Sequence, residues 1–410
     1  MLIPALFFLN SGVSQIPIIE WQNTIGGSGS DYLFATLQTE DGGFILSGHS
    51  YSGISGDKTE ANFGLSGTND YWIVKTNSLG IIEWQNTIGG ANLDYLHCVK
   101  TTTDGGYILA GYSNSGISGD KTESSLGGYD YWVVKLNSIG VIQWQNTIGG
   151  SADDIIYSFE TTSDGGYILG GYSSSGISGD KIEPSLGLTD YWVVKLNSVG
   201  TIQWQNTIGG SDGDYLYSIK QTFDGGYILG GYSLSPFSGD KTESTVGSSD
   251  YWVVKLNSTG SIEWQNNIGG SGSDYLYAID QTIDGGYILG GHSSSNISGD
   301  KTENNHGSGD YWVIKLNIMG GIQWQNTIGG DNIEFLYSLE QTYDGGYLLG
   351  GYSQSAATYD KTESTIGAED YWIVKLNSIG EIIWQNDIGG SGLDKIRWVT
   401  QTTDLGYIVA

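Results

Sequence analysis

One cysteine, one arginine, two methionines and four prolines are all that 410 residues supply of these types. A single thiol, Cys98, excludes an intramolecular disulfide framework. It aligns in an internal repeat with Ala35, Ser158, Ser218, Ala278 and Ser338, which marks a small packed residue. Bases are scarce as well: 16 Lys and Arg stand against 45 Asp and Glu, a formal charge of -29. Nucleic acid and anionic membrane surfaces need a basic face to displace counterions, so both are excluded as partners, and cations are the natural small ones. The one long apolar run lies in MLIPALFFLNSGVSQ, residues 1–15. It is too short to insert across a bilayer, and with the small residues after it suits a secretory signal or apolar leader, although a basic start is missing.

What is present is 66 glycines and 12% aromatic residues, with Tyr, Trp, Ile, Val and Thr punctuated by Gly and Asp. That is the vocabulary of strands and tight turns. WQNTIGG or a close variant begins at Trp21, Trp84, Trp144, Trp204, Trp264, Trp324 and Trp384, a spacing of 63 and then of 60. One unit holds four strand-like runs, shown by DYLYSIKQT, GYILGGYS, DYWVVKLN and SIEWQNNIG within 214–269 and designated a, b, c and d. Asp-Gly-Gly between a and b reads as a two-residue hairpin, and Asn-Ser-x-Gly between c and d as another. Four antiparallel strands per unit of this length predict an all-β fold, a β-propeller of four-stranded antiparallel blades. A β-solenoid, the rival, would have shorter rungs without paired hairpins. The expected blades are 30–89, 90–149, 150–209, 210–269, 270–329 and 330–389, with a seventh from 390–410 closed by 16–26, all in one domain, 16–410. The strand count gives that last blade no strand c, so it is expected to be incomplete, and the chain to be a monomer apart from association through open strand edges.

The c–d hairpin YWVVKLNSVGTIQW at 191–204 resembles the tryptophan-docking repeat of quinoprotein-type propellers, and the Ile-Leu-Gly-Gly-Tyr of strand b is similar to the double glycine of Kelch blades. The whole unit resembles the uncharacterised DGGY and DYWVVKL repeats of exported bacterial propeller proteins. That resemblance covers 16–410 and implies a propeller at the cell surface or secreted. It implies no activity.

Catalytic constellations are hard to assemble from this alphabet. Quinoprotein chemistry implies arginine and commonly a vicinal disulfide, and sialidase-type propellers an arginine triad; Arg397 stands alone. His49 and His292 fill a slot held elsewhere by Tyr112, Tyr172, Tyr232 and Tyr352, His97 aligns with Tyr157 and Tyr217, and His306 lies in a loop, so the repeat frame gathers no copper site. Near-identical units reserve nothing for one unique centre and favour the same modest site many times.

The acids repeat most strictly. Asp57, Asp120, Asp180, Asp240, Asp300 and Asp360 open a D-K-[TI]-E tetrapeptide ending in Glu60, Glu123, Glu183, Glu243, Glu303 and Glu363. Each b–c loop then closes on Asp70, Asp130, Asp190, Asp250, Asp310 or Asp370. Alternating strand direction brings these loops to the same face as the d–a links, whose acids are Asp31, Asp94, Asp154, Asp214, Asp274, Glu334 and Asp394. Two readings stay open. In one, Asp caps loop amides while Lys and Glu sit in solvent or pair weakly. In the other, the carboxylates of each b–c loop hold Ca²⁺. The function expected is non-enzymatic, multivalent binding of a glycan or protein through an acidic loop face. The alternative is a structural spacer in a larger adhesin-like secreted protein.

Overall fold

The computed structural model describes residues 2–6 and 17–410, and among them there are strands and turns and no helix. They pack as two compact units, one made mainly of 21–208 and the other mainly of 209–409.

The first unit contains three four-stranded sheets, spanning 31–88, 94–148 and 154–208, and the second contains three more, 214–268, 274–328 and 334–388. In each, a pairs with b, b with c and c with d, all antiparallel, as in Asp214–Gln221, Tyr227–Ser233, Asp250–Leu256 and Ile262–Ile268. The four runs read from the sequence are therefore the four strands. Strands b and c bury almost every residue, Tyr227–Ser233 and Asp250–Leu256 among them, because each is central in its sheet and covered on both faces.

Within each unit neighbouring sheets share a core. Ile108, Tyr131 and Val133 of the second sheet pack against Ile156, Phe159, Leu169 and Trp192 of the third. The double glycine of strand b is what such packing needs. A methyl group at Gly290 would sit 2.6 Å from Leu336 of the next sheet, and one at Gly291 would sit 2.7 Å from the Tyr251 hydroxyl of the preceding one. At these two glycines strand b lies too close to its neighbours for a side chain to enter without a shift, although the small Ser47 and Ala110 stand at the position of Gly290 in the first two sheets.

The turns correct one expectation. The a–b connection is five residues, Thr162 to Gly166, since Thr161 pairs with Tyr167. Gly165 takes φ +80° and its N–H bonds to the Thr162 carbonyl at 2.8 Å, while the Asp164 carboxylate accepts from Gly166 N–H at 3.0 Å. That carboxylate also meets Lys195 of strand c at 2.9 Å, and the equivalent pair is Asp41 with Lys75 in the first sheet. The turn acid therefore also neutralises a buried lysine. Hydrogen bonds from Thr39 and Lys75 hold the Asp41 carboxyl down at about 2.

The expected last blade is also corrected. Val399–Gln401 and Tyr407–Val409 pair as strands a and b, but the far side of b is not open. Strand Leu2–Leu6 runs antiparallel to it, Ala5 opposite Ile408 and Leu6 opposite Tyr407, in the place a strand c takes elsewhere. The apolar N-terminal run, which lies outside the repeat, supplies the strand that the repeat lacks. Residues 7–15 of the expected leader lie outside the described residues.

Candidate functional site

The b–c loops and d–a links do share one face, and hydrogen bonds tie them together. The Asp120 N–H donates to the Gly89 carbonyl at 2.9 Å, and its carboxylate accepts from Gly89 N–H at 3.4 Å. The same latch joins Asp180 to Gly149, Asp240 to Gly209, Asp300 to Gly269, Asp360 to Gly329 and Asp57 to Gly26. Each first acid of the tetrapeptide thus fastens its loop to the link leaving the preceding strand d.

The lysine that follows is not in solvent. Lys121 is 1% exposed, its ammonium 4.9 Å from the centre of the Trp132 ring and 2.5 Å from the Thr147 hydroxyl. Lys58, Lys181, Lys241, Lys301 and Lys361 take the same place over Trp72, Trp192, Trp252, Trp312 and Trp372. Burial lowers Lys121 to about 8, against the opposing pull of Asp94, Asp130 and Glu123. The closing Glu123 accepts from Thr147 N–H at 2.7 Å, as Glu60, Glu183, Glu243, Glu303 and Glu363 do from Thr87, Thr207, Asn267, Thr327 and Asp387. The tetrapeptide is a clasp around the start of strand c.

The third acid turns inward. Asp130 is fully buried and caps its own loop through Leu126 N–H at 2.5 Å, and Asp70, Asp190, Asp250, Asp310 and Asp370 do the same for Phe63, Leu186, Val246, His306 and Ile366. The capping reading holds for these six. Its companion, lysine in solvent, is corrected, because the indole below each loop gives the ammonium a buried seat. Among the described residues no group of three or more His, Cys, Asp and Glu side chains is gathered as a metal centre. The acids of each calcium triplet answer three different backbone donors.

Across each seam within a unit, the buried cap acid faces the buried first acid of the next sheet. Burial pushes Asp130 up to about 7, the Asp154 charge pushes the same way, and the Leu126 N–H opposes both. Asp70 beside Asp94 is likewise raised to about 7, and Asp310 beside Glu334 is raised too. The Oδ1 atoms of Asp70 and Asp130 have no hydrogen-bond partner.

Solvent meets apolar tips and the tetrapeptide glutamates such as Glu123, not the buried cap acids. Ile54, Ile117, Ile177, Phe237 and Ile297 occupy one equivalent loop position and are 59–70% exposed. Phe63, Leu126, Leu186, Val246 and Ile366, the residues whose amides the cap acids hold, are exposed beside them. The sequence reading missed these tips because it followed charge, although their 60-residue recurrence was visible.

A second cluster was also missed. In strand a the ladder slips by one residue between Leu33 and Ala35, between Leu96 and Cys98, and at each equivalent point. The extra residue is Phe34, His97, Tyr157, Tyr217, Tyr277 or Tyr337, so a bulge aims one aromatic ring per sheet to the same side. Phe34 lies 4.4 Å from His97 and His97 5.0 Å from Tyr157; in the other unit Tyr217, Tyr277 and Tyr337 follow at 5.1 Å steps, with the Arg397 guanidinium 4.2 Å over Tyr337. His49 stacks on Phe34 at 5.3 Å, and burial lowers it to about 3. His292 donates from Nδ1 to the Glu334 carbonyl at 2.8 Å, and His306 lies 3.2 Å from Asp360.

No family model matches the chain, and no curated protein matches it. Among solved structures it is similar to the WD40 domain of Pan2 from Neurospora crassa, 9% identical over 93% of this chain and 89% of that one, with a TM-score of 0.50. BamB from Moraxella catarrhalis is 12% identical over 93% and 99% of the two chains, with a TM-score of 0.40. An apocarotenoid oxygenase from Synechocystis is 9% identical over 89% and 82%, with a TM-score of 0.44. At such identities only architecture is comparable, and the first of these likenesses shows that the fold is a β-propeller.

Proposed function

We propose that this chain is a non-enzymatic, exported or surface-held propeller of the DGGY and DYWVVKL repeat kind, which binds a protein partner through its loop face at several equivalent points. The observation that carries the reading is the recurrence of one exposed apolar side chain, Ile54, Ile117, Ile177, Phe237 or Ile297, at the same loop position. A clasped, capped loop holds its tip rigidly, so little ordering entropy is lost when a partner covers it. Repetition then raises avidity without any single strong contact. The acids contribute a negative surround that favours a basic rim on the partner. Absence of catalysis is supported by the occupation of the loop carboxylates in backbone contacts and by the presence of a single arginine.

The test is binding of the labelled chain to cells and to envelope proteins, compared with a variant carrying Ile117→Ser, Ile177→Ser and Ile297→Ser. These side chains are exposed, so folding is kept. Binding should fall at least tenfold; unchanged binding would reject the loop face. The spacer reading is favoured by a different observation, the near-identity of successive units, and predicts no saturable binding at all.

A further inference from the structure

On the opposite face, where the a–b and c–d hairpins emerge, a cleft of about 390 Å³ opens between the sheets 274–328 and 334–388 of the second unit. Its volume lies in the range of small-ligand sites. The half-buried ring of Trp324 forms one wall, with Tyr347 edge-on to it at 5.7 Å. Gln323 and Gln341 supply a carboxamide from each of the two sheets. Lys315 and Asp284 lie at the base and bind each other at 2.9 Å.

The charges decide what kind of ligand fits. Lys315 is spent on Asp284, on the Leu316 carbonyl at 2.9 Å and on the Gln323 carboxamide oxygen at 3.2 Å. The cleft therefore has no net charge, and a chain of charge -29 repels anions from it. The Gln323 oxygen turns to the ammonium, so the NH₂ end of that amide is directed away from the cation. Gln341 is fixed as well, its oxygen accepting from Ile283 N–H at 2.8 Å and its NH₂ donating one hydrogen to the Gly345 carbonyl at 3.3 Å, which leaves one N–H for a ligand. What remains is an aromatic face flanked by held amide and carboxylate groups, the pattern that receives a ring with one apolar face and a rim of hydroxyls.

The equivalent seams are not equal. The position of Gln323 is Glu83 or Glu263 in two of them, each bound to its lysine at 2.9–3.0 Å, and Ile383 in another. The position of Gln341 is Thr101 or Thr161 in the second and third sheets of the first unit and Gln38 in its first sheet. Among the seams within each unit, in the described residues, the two carboxamides occur together only at Trp324, and the sequence repeats the pair once more at Gln203 and Gln221. We infer that this cleft is a binding site for a neutral saccharide, stacked on Trp324 and hydrogen-bonded by Gln323 and Gln341. It stands apart from the loop face and from the partner proposed there.

The test is calorimetric titration of the full chain with the methyl glycosides of glucose, galactose, mannose and N-acetylglucosamine, followed in parallel by tryptophan fluorescence. One glycoside should bind at one dominant site with a Kd at or below about 1 mM, the affinity range of a single small-ligand contact set. Gln323→Ala, at an exposed side chain, and Gln341→Ala, at a partly exposed one, should each weaken it at least tenfold, and Trp324→Ala should abolish it. Gln143→Ala, at another seam, and the loop-tip variant should leave it unchanged. No binding up to about 10 mM of any glycoside, or binding that survives Gln323→Ala, would overturn the site. The loop-face proposal stands or falls separately, because its variants touch the other face.

Discussion

The hydroxyl of Tyr251 donates a hydrogen bond to the backbone carbonyl of Trp312, 3.1 Å away and 61 residues further along the chain. The two rings pack at 4.9 Å, and Tyr71 with Trp132, Tyr131 with Trp192 and Tyr311 with Trp372 repeat the bond. One strand c thus holds the next across a seam whose neighbouring side chains, such as Ile228, Val253 and Leu289, are apolar. Tyr251→Phe keeps the ring and removes the donor, so it should cost about 1 to 2 kcal/mol, the value of a buried hydrogen bond with its acceptor left behind. Urea unfolding of Tyr251→Phe and of Tyr131→Phe measures it. The two lie in different units and should give similar losses; a loss near zero would mean the carbonyl is already satisfied by the ladder.

The close approach at strand b gives a contrasting pair. Gly290→Ala places a methyl 2.6 Å from Leu336 and 2.8 Å from Leu339, both buried, and the neighbouring sheet must shift. The cost should be about 1 to 3 kcal/mol, as for other overpacked cores. Gly165→Ala meets no atom within 4 Å but sits at φ +80°, so it should cost only the roughly 1 kcal/mol of a left-handed alanine. Denaturant midpoints with unchanged slopes test both, and a reversed order would refute the packing account.

These two variants also mark what the sequence could and could not tell. The period, the four strands and their hairpins were legible because a face-alternating, Gly-punctuated pattern has one low-energy pairing and here repeats it six times. The fate of Lys121 was not, since a charged residue in a polar loop is ordinarily solvated and only the three-dimensional neighbour, Trp132, makes burial favourable. The bulge at Phe34 was hidden for a similar reason: one extra residue in a strand leaves the hydrophobic pattern readable while turning a single ring. The cleft beside Trp324 depends on residues 18 positions apart, Gln323 and Gln341, that meet only when two sheets pack.

Paired buried acids make stability depend on pH in a definite direction. Asp130 and Asp70 are raised to about 7 in the fold, so between the ordinary carboxyl range and pH 7 the folded state binds protons that the unfolded chain releases. Their contribution is complete below about pH 4 and is lost as pH rises through 7. Asp41 and Asp104, held down at about 2, act oppositely, and their stabilisation is lost only as pH falls toward that value. The melting temperature should therefore be highest near pH 4 to 5 and fall by at least about 3 °C by pH 8. Asp154→Asn removes the charge facing Asp130 and should flatten that decline; a melting temperature that rises from pH 5 to 8 would contradict the arrangement.

Calcium should not add to this. In each triplet, such as Asp120, Glu123 and Asp130, the carboxylates answer Gly89, Thr147 and Leu126 N–H groups in separate places. Millimolar Ca²⁺ and Na⁺ at equal ionic strength should then raise the melting temperature equally, by screening a charge of -29. A larger shift with Ca²⁺ would be mass action at real sites and would restore the ligand reading.

The N-terminal run carries two assignments that exclude each other in the mature protein. Read as a leader, residues 1–15 are removed on export. Read in the fold, Leu2–Leu6 pairs with Tyr407–Val409 at Ala5 and Leu6 and covers that edge. A chain starting at Ile16 would leave the N–H and C=O groups of one side of Tyr407–Val409 without a strand, and an open strand edge both frays and invites pairing with another molecule. Removing 1–15 should therefore lower the melting temperature and produce concentration-dependent association, both reversed by adding the peptide MLIPALFF in trans. Light scattering and thermal melts with and without the peptide measure this directly. If the shortened chain melts as high as the full one and stays monomeric, the strand contributes nothing and the same residues are free to serve export.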